Sequence, residues 1–234
     1  MRIFTLLFLS VAFMATSCSS PETSTVETEA PQRSVFVPET LIDSIAFVHG
    51  FDYWQDVQQI DFRFDIDING EGKLQREWSW FPKTDSVVRT LEGVTESIVR
   101  NTSIDSTDLS IDGQFINDSY WLLMPYYLVW SKDGYTSVID RNATSPMTDE
   151  QRTKLTVQYG SDGGYTPGDA YDLYVDASYQ LKEWTFRKGG QTEASMTMDW
   201  SDYRTIENLV LPADHKGKDV LRIYHPVVRV ITAK

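Results

Sequence analysis

From Ile60 to Ile68 the chain alternates. Ile60, Phe62, Phe64, Ile66 and Ile68 are apolar, and Asp61, Arg63, Asp65 and Asp67 stand between them. A period of two marks a strand with one buried face. Asn69-Gly70-Glu71-Gly72 then supplies a hairpin turn, and Leu74, Trp78 and Trp80 carry the apolar face into the return strand. Upstream the period is different. Leu41, Ile42, Ile45, Ala46 and Val48 recur at helical spacing after Pro38-Glu39-Thr40, so a short helix is expected, closed by a left-handed cap at Gly50. Phe51, Tyr53, Trp54 and Val57 suggest a second short turn packed back on it.

Further along, residues 86–92 and 95–101 read as a hairpin turned near Gly93, and the polar residues 102–113 read as loop. The densest apolar stretch runs from Phe115 to Trp130. Its first half reads as helix, with Pro125 ending it. Strands are expected at 135–140, 153–159, 170–176, 180–187, 194–201, 208–212, 219–224 and 227–232, with turns at Gly163-Gly164, Pro167-Gly168 and Gly189-Gly190. Regular short strands joined by close turns make an α+β, mainly β domain: an antiparallel sheet or barrel whose helix covers one face or plugs the concavity.

The N-terminus is an address. Met1-Arg2 is a positive start, residues 3–14 are almost wholly apolar, and Ala15-Thr16-Ser17-Cys18 is a small-residue cleavage region. This is a secretory signal, and its apolar run is too short to span a bilayer. A cysteine after three small residues resembles the lipobox of bacterial lipoproteins. The resemblance implies cleavage before Cys18, diacylglycerol on its sulfur and an acyl chain on its new amine. Residues 1–17 are thus expected to be signal peptide. Residues 18–34, rich in Ser, Thr, Glu and Pro, are expected to be a lipidated, disordered tether, and residues 35–234 a single domain. The expected location is the cell envelope, anchored by lipid. Ser19 after the cysteine resembles an outer-membrane signal, and the membrane face is left open.

Composition narrows the function classes. The chain of 234 residues has formal charge −13, with no basic stripe for phosphates, so nucleic acid is not an expected partner. One cysteine excludes an internal disulfide and a Cys-based zinc site. Asp65-x-Asp67-x-Asn69-Gly70 copies half of a calcium loop, but Arg76 stands where the bidentate Glu belongs, and alternation sets both aspartates on the outer face of a strand; a hairpin is the better reading. His49 is placed at a helix end, where a cation meets the dipole favourably. His215 is placed in a solvated turn, and His225 at a strand break before Pro226. No metal, cofactor or nucleophile elbow is indicated. A hydrolase with scattered carboxylates stays open, with a non-enzymatic role preferred.

Aromatic residues carry the functional signal: 7 Trp, 12 Tyr and 11 Phe. Trp78, Trp80, Trp184, Phe186 and Trp200 alternate with polar residues, and Trp121, Tyr126, Tyr127 and Trp130 lie in the central apolar segment. Such rings either fill a core or line a cavity. The ligand-site candidates are Trp78, Trp80, Trp121, Tyr126, Trp130 and Trp184.

The opening helix followed by His49-Gly50, Trp54, Val57, Ile60 and Phe62 resembles a lipoprotein family common in Bacteroidota. The segment from Phe115 to Pro125 resembles that family's central stretch. Tyr171-Asp172-Leu173-Tyr174-Val175-Asp176 and Leu209-Val210-Leu211-Pro212 resemble strands of the wider LolA/LolB-like lipoprotein-sorting superfamily. The resemblance implies a strongly curved antiparallel sheet, an incomplete barrel, with one or two helices over its concave face. It also implies a hydrophobic cavity for acyl chains. The first expectation is therefore a lipid-anchored envelope protein that binds an acyl chain, a phospholipid or a lipidated partner without catalysis. The alternatives are a surface module that binds glycan or protein through exposed aromatics, and a hydrolase. Oligomeric state is not legible.

Overall fold

Thr40 starts the first helix, α1 (Leu41–Val48), with a capping box: its hydroxyl accepts from the Asp43 N–H, and the Asp43 carboxylate accepts from the Thr40 N–H. His49 closes the helix and Gly50 turns the chain at φ 87°. No other residue fits there, because a Cβ would stand 2.1 Å from the Asn208 carbonyl oxygen. A 3-10 turn at Phe51–Asp56 leads into the sheet. The computed structural model describes residues 36–100, 106–161 and 167–233. The signal sequence, Cys18, the tether and the Gly163-Gly164 turn lie outside the described residues.

Among the described residues thirteen strands follow, all paired antiparallel: β1 (Val57–Ile68), β2 (Glu71–Phe81), β3 (Ser86–Leu91), β4 (Val94–Val99), β5 (Tyr135–Thr144), β6 (Gln151–Tyr159), β7 (Ala170–Val175), β8 (Leu181–Arg187), β9 (Met196–Asp199), β10 (Ser201–Ile206), β11 (Leu209–Lys216), β12 (Leu221–Tyr224) and β13 (Val228–Thr232). One sheet runs β10-β11-β12-β1-β2-β3-β4, with β13 also on β1; the other runs β5-β6-β7-β8-β9. The stretch expected as one strand at 194–201 is the joint. It continues to residue 206 and divides at Trp200, with β9 pairing β8 and β10 pairing β11. A single bridge from Met198 to Gly217 also crosses from one sheet to the other. The assembly is an open, curved antiparallel surface in a mainly β α+β fold.

β1 shows why alternation reads so clearly. Ile60, Phe62 and Phe64 are buried, while the residues between them meet β2, β12 and β13 on the outer face. At its end, Asn69 (φ 60°) and Gly70 (φ 81°) make the hairpin, and the Asp67 carboxylate accepts from the Gly70 N–H at 2.6 Å. Asp65 is held by Arg63 through two 2.9 Å hydrogen bonds. The calcium-like motif is thus spent on a turn and an ion pair. Among the described residues no cluster of metal-ligating side chains occurs.

The second helix overturns two expectations. Residues 106–113 are not loop, and Pro125 does not end the helix: α2 spans Ser106–Trp130. Pro125 lacks an N–H and crowds the preceding turn, and the backbone responds at Leu123 (φ −120°, ψ 15°) before the helix resumes. The polar first turns misled because only part of them faces solvent: Thr107 and Ser110 are exposed, while Asp112 is buried in an ion pair with Arg100.

α2 lies in the concavity. One flank faces β1–β4. Phe115 is fully buried between Trp78 and Trp80, with ring centroids 5.5 and 5.3 Å away. Asp118, also fully buried, accepts from Arg76 at 2.7 and 2.6 Å, from Trp78 Nε1 at 2.9 Å and from Asn117 Nδ2 at 3.0 Å. Arg100 joins Asp112 on the helix to Asp85 on the sheet side. These charged contacts fix the helix at a set distance from the strands.

Candidate functional site

Gly113, Ile116, Asn117, Tyr120 and Trp121 fall at i, i+3, i+4, i+7 and i+8, so they share one face of α2. That face looks away from Phe115 and toward β6–β9. There Tyr171 and Leu173 of β7, Trp184 and Phe186 of β8, and Met196 and Met198 of β9 alternate on one side of the sheet, and their register places Tyr171 beside Phe186 and Trp184 beside Met198. Between helix and sheet is a cavity of about 560 Å³. It is lined by Gly113, Ile116, Asn117, Tyr120, Trp121 and Tyr127 of the helix, Ser131 beyond it, and Tyr159, Asp169, Tyr171, Trp184, Phe186 and Met196. That volume falls within the range of small-molecule sites.

Ring contacts hold the walls apart. Trp121 stacks on Trp184 at 4.6 Å and 15° between planes. Tyr120 meets Tyr171 at 5.2 Å, and Tyr171 stacks on Phe186 at 5.3 Å. These pairs act as pillars, and the space beyond them is left open because Gly113 has no side chain and Asn117 turns its amide to Asp118. The polar groups are neutral donors. Tyr120 and Tyr159 share a hydrogen bond at 3.3 Å, Tyr159 meets Ser131 at 3.3 Å, and Tyr127 meets Ser119 at 2.8 Å. Burial raises the Tyr120 phenol well above its ordinary range and that of Tyr127 to about 12, so both stay protonated. Trp184 is 3% exposed, and its indole N–H has no partner among the described residues. Asp169 is the only ionisable carboxylate in the described lining, and no lysine, arginine or histidine is present there.

The six candidates divide. Trp121 and Trp184 line this cavity. Trp78, Trp80, Tyr126 and Trp130 do not, because they are consumed in packing on the other flank. Trp78 donates to Asp118, and Trp80 donates to Asp85 at 3.0 Å. Tyr126 is fully buried and its hydroxyl donates to the His49 carbonyl. Trp130 packs on Trp54 at 4.8 Å and Tyr127 at 5.2 Å, with 36% of its surface exposed. Cys18 lies outside the described residues. Sequence reasoning missed Gly113, Ile116 and Tyr120. Gly113 was hidden because 102–113 reads as loop, and Ile116 and Tyr120, within the part read as helix, share their face only once the helix is extended back to Gly113.

All three histidines are fully buried, which corrects two expectations. His215 is not in a solvated turn but on β11, against Trp200 and Trp121 at 4.6 and 5.3 Å. His49 caps α1 but not as a cation. Burial lowers it to about 4, against the Ile45 carbonyl that accepts from its Nδ1–H at 2.7 Å. Burial likewise lowers His215 to about 4, and burial with the neighbouring His215 lowers His225 to about 3. His225 sits where Pro226 interrupts the edge between β12 and β13, its ring 5.8 Å from both Phe62 and Phe64.

No family model matches the chain, and no curated protein matches it. Solved structures do. The chain is similar to a LolA superfamily protein from Nitrosomonas europaea, at 10% identity and TM-score 0.48, over 83% of this chain and 93% of that one. It is also similar to a DUF1329 family protein from Desulfovibrio piger, at 11% identity and TM-score 0.46, over 81% and 91%. Both are likenesses of fold alone. They leave open what the cavity holds.

Proposed function

We propose that this is a lipid-anchored protein of the cell envelope that holds an acyl chain, of a lipid or of a lipidated partner, in the cavity between α2 and β6–β9. The observation that carries the reading is the cavity itself: about 560 Å³, walled chiefly by aromatic and aliphatic side chains, with polar groups that are few and mostly neutral. Each methylene moved from water into such a space contributes roughly 0.8 kcal/mol, so a chain can be retained without a reactive group. A glycan platform needs several exposed rings in one plane, whereas the rings here stack on one another inside the fold. The signal sequence and Cys18 support the anchor and the compartment.

The test is to export the full chain carrying Cys18→Ser, purify it without detergent, and extract it for mass spectrometry. The expected result is a co-purified acyl lipid near one per protein, absent when Ile116→Trp fills the cavity. An empty extract, together with no quenching of tryptophan fluorescence by a bromine-labelled monoacylglycerol, overturns the reading.

A further inference from the structure

The chemistry of the lining says which kind of acyl chain fits, on the footing of the cavity reading above. A free fatty acid carries a carboxylate. Burying it requires a cation or several donors, and an unpaired buried carboxylate is costly. The described lining offers no cation, and its one charged group, Asp169, is itself a carboxylate. Asp169 is fixed in place because it accepts from the Gly189 N–H at 2.6 Å. The nearest strand cation in sequence, Arg187, is turned to the opposite face of β8, where it pairs with Asp172 at 3.0 Å. The available donors are neutral: the phenols of Tyr120 and Tyr159. Neutral donors suit a carbonyl oxygen that bears no full charge.

We propose that the cavity selects acyl chains whose carbonyl is esterified or amidated over free fatty acids, with Asp169 repelling a carboxylate. Glycerolipids and the acylated terminus of a lipoprotein share this chemistry.

The full chain carrying Cys18→Ser is titrated at pH 8 with palmitate and with monopalmitoylglycerol, each below its micelle concentration, following tryptophan fluorescence and calorimetry. The ester is expected to bind at least ten-fold more tightly. Asp169→Asn keeps an oxygen for the Gly189 N–H while removing the charge, and should raise palmitate affinity several-fold with little change for the ester. Equal affinity for acid and ester in the unmodified cavity, or a ratio that Asp169→Asn does not move, overturns the selection while leaving an acyl-binding cavity standing. Binding of neither ligand overturns both readings.

Discussion

On one flank of α2, Phe115 is closed in by Trp78, by Trp80 and by the Arg100 guanidinium 5.0 Å above its ring. On the other, Tyr120 and Trp121 touch Tyr171 and Trp184 and leave a space of about 560 Å³ beside them. The same residue classes fill one side and frame a void on the other. The difference lies in what sets the distance between helix and sheet. The filled flank has buried ion pairs of fixed length, and its apolar side chains settle into the gap those pairs define. The open flank has no cation in its described lining, and ring-on-ring contacts with the neutral Tyr120–Tyr159 hydrogen bond prop the walls apart. Tight packing through polar contacts on one side thus leaves the helix unable to collapse onto the other.

The sharpest way to break this arrangement is to remove its anchor. Asp118→Ala leaves the Trp78 N–H unpartnered in the interior and Arg76 with only Gln114 at 3.3 Å, and should cost about 3–5 kcal/mol. For a domain of this size that corresponds to roughly 10 °C or more in melting temperature. Differential scanning calorimetry reads it. A loss below about 1 kcal/mol would mean that the ring contacts alone position the helix.

Next in size is an effect of acid, because both flanks meet at the histidines: His225 lies on Phe62 and Phe64, and His215 touches Trp121. Their folded-state values, about 3 and 4, lie below the ordinary 6.5, as does that of His49 at about 4. The unfolded chain therefore binds more protons as pH falls through 6.5. Stability is full above that value and declines toward pH 3–4, by roughly 2 kcal/mol per histidine at pH 5. Asp118 and Asp199 are raised by burial and oppose the loss at the acid end. The other groups near the histidines are Asp214 by His215, Arg204 by His225, and Asp176 with Lys182 by His49. Urea unfolding at pH 7.5 and 5.0 measures the slope. His225→Phe should reduce it with little loss at pH 7.5, since the ring is buried against Phe62 and Phe64. An unchanged slope would mean that the histidines protonate in the folded state.

How much of this is legible in the sequence depends on period. β1 was readable to within a few residues because its alternation is unbroken. The joint at Trp200 was not, because a strand that changes sheets keeps its period and merely bends. The first turns of α2 read as loop because they are polar, yet Asp112 is buried against Arg100, as Asp118, in the part read as helix, is buried against Arg76. Those arginines are as legible as any residue, but their pairing is not local. Likewise alternation and composition could show that the rings of Trp80 and Trp184 belong inside. Whether a ring meets a neighbour or a void depends on the helix opposite, and sequence spacing carries no distance between elements.

A smaller effect separates the flanks directly. Trp80→Ala removes a ring packed against Phe115, Trp54 and Trp130 and should cost about 3–5 kcal/mol. Met196→Ala, half-buried at the edge of open space, should cost about 1 kcal/mol, since the atoms it removes had few partners. Comparable losses at the two sites, measured by urea unfolding, would show that the space collapses in solution.

The smallest expected change in stability is also the most informative for function. Ile116 faces the cavity from the third turn of α2, where a larger side chain has room to enter. Ile116→Trp in a filled core would force neighbours from their rotamers at a cost of about 1–3 kcal/mol. Here the new indole replaces empty volume and gains contact with the aromatic floor, so the net change should lie within about 1 kcal/mol of zero, on either side. The same substitution on the filled flank, Ile111→Trp, has no space to occupy, because Ile111 is 2% exposed inside the core, and it should be destabilising by the full overpacking cost. Paired melting curves separate the two. If the variants lose stability equally, the flanks are equally filled and the acyl chain has nowhere to go; if only Ile111→Trp does, the void is a real feature of the folded protein, kept open by pillars that stability alone does not require.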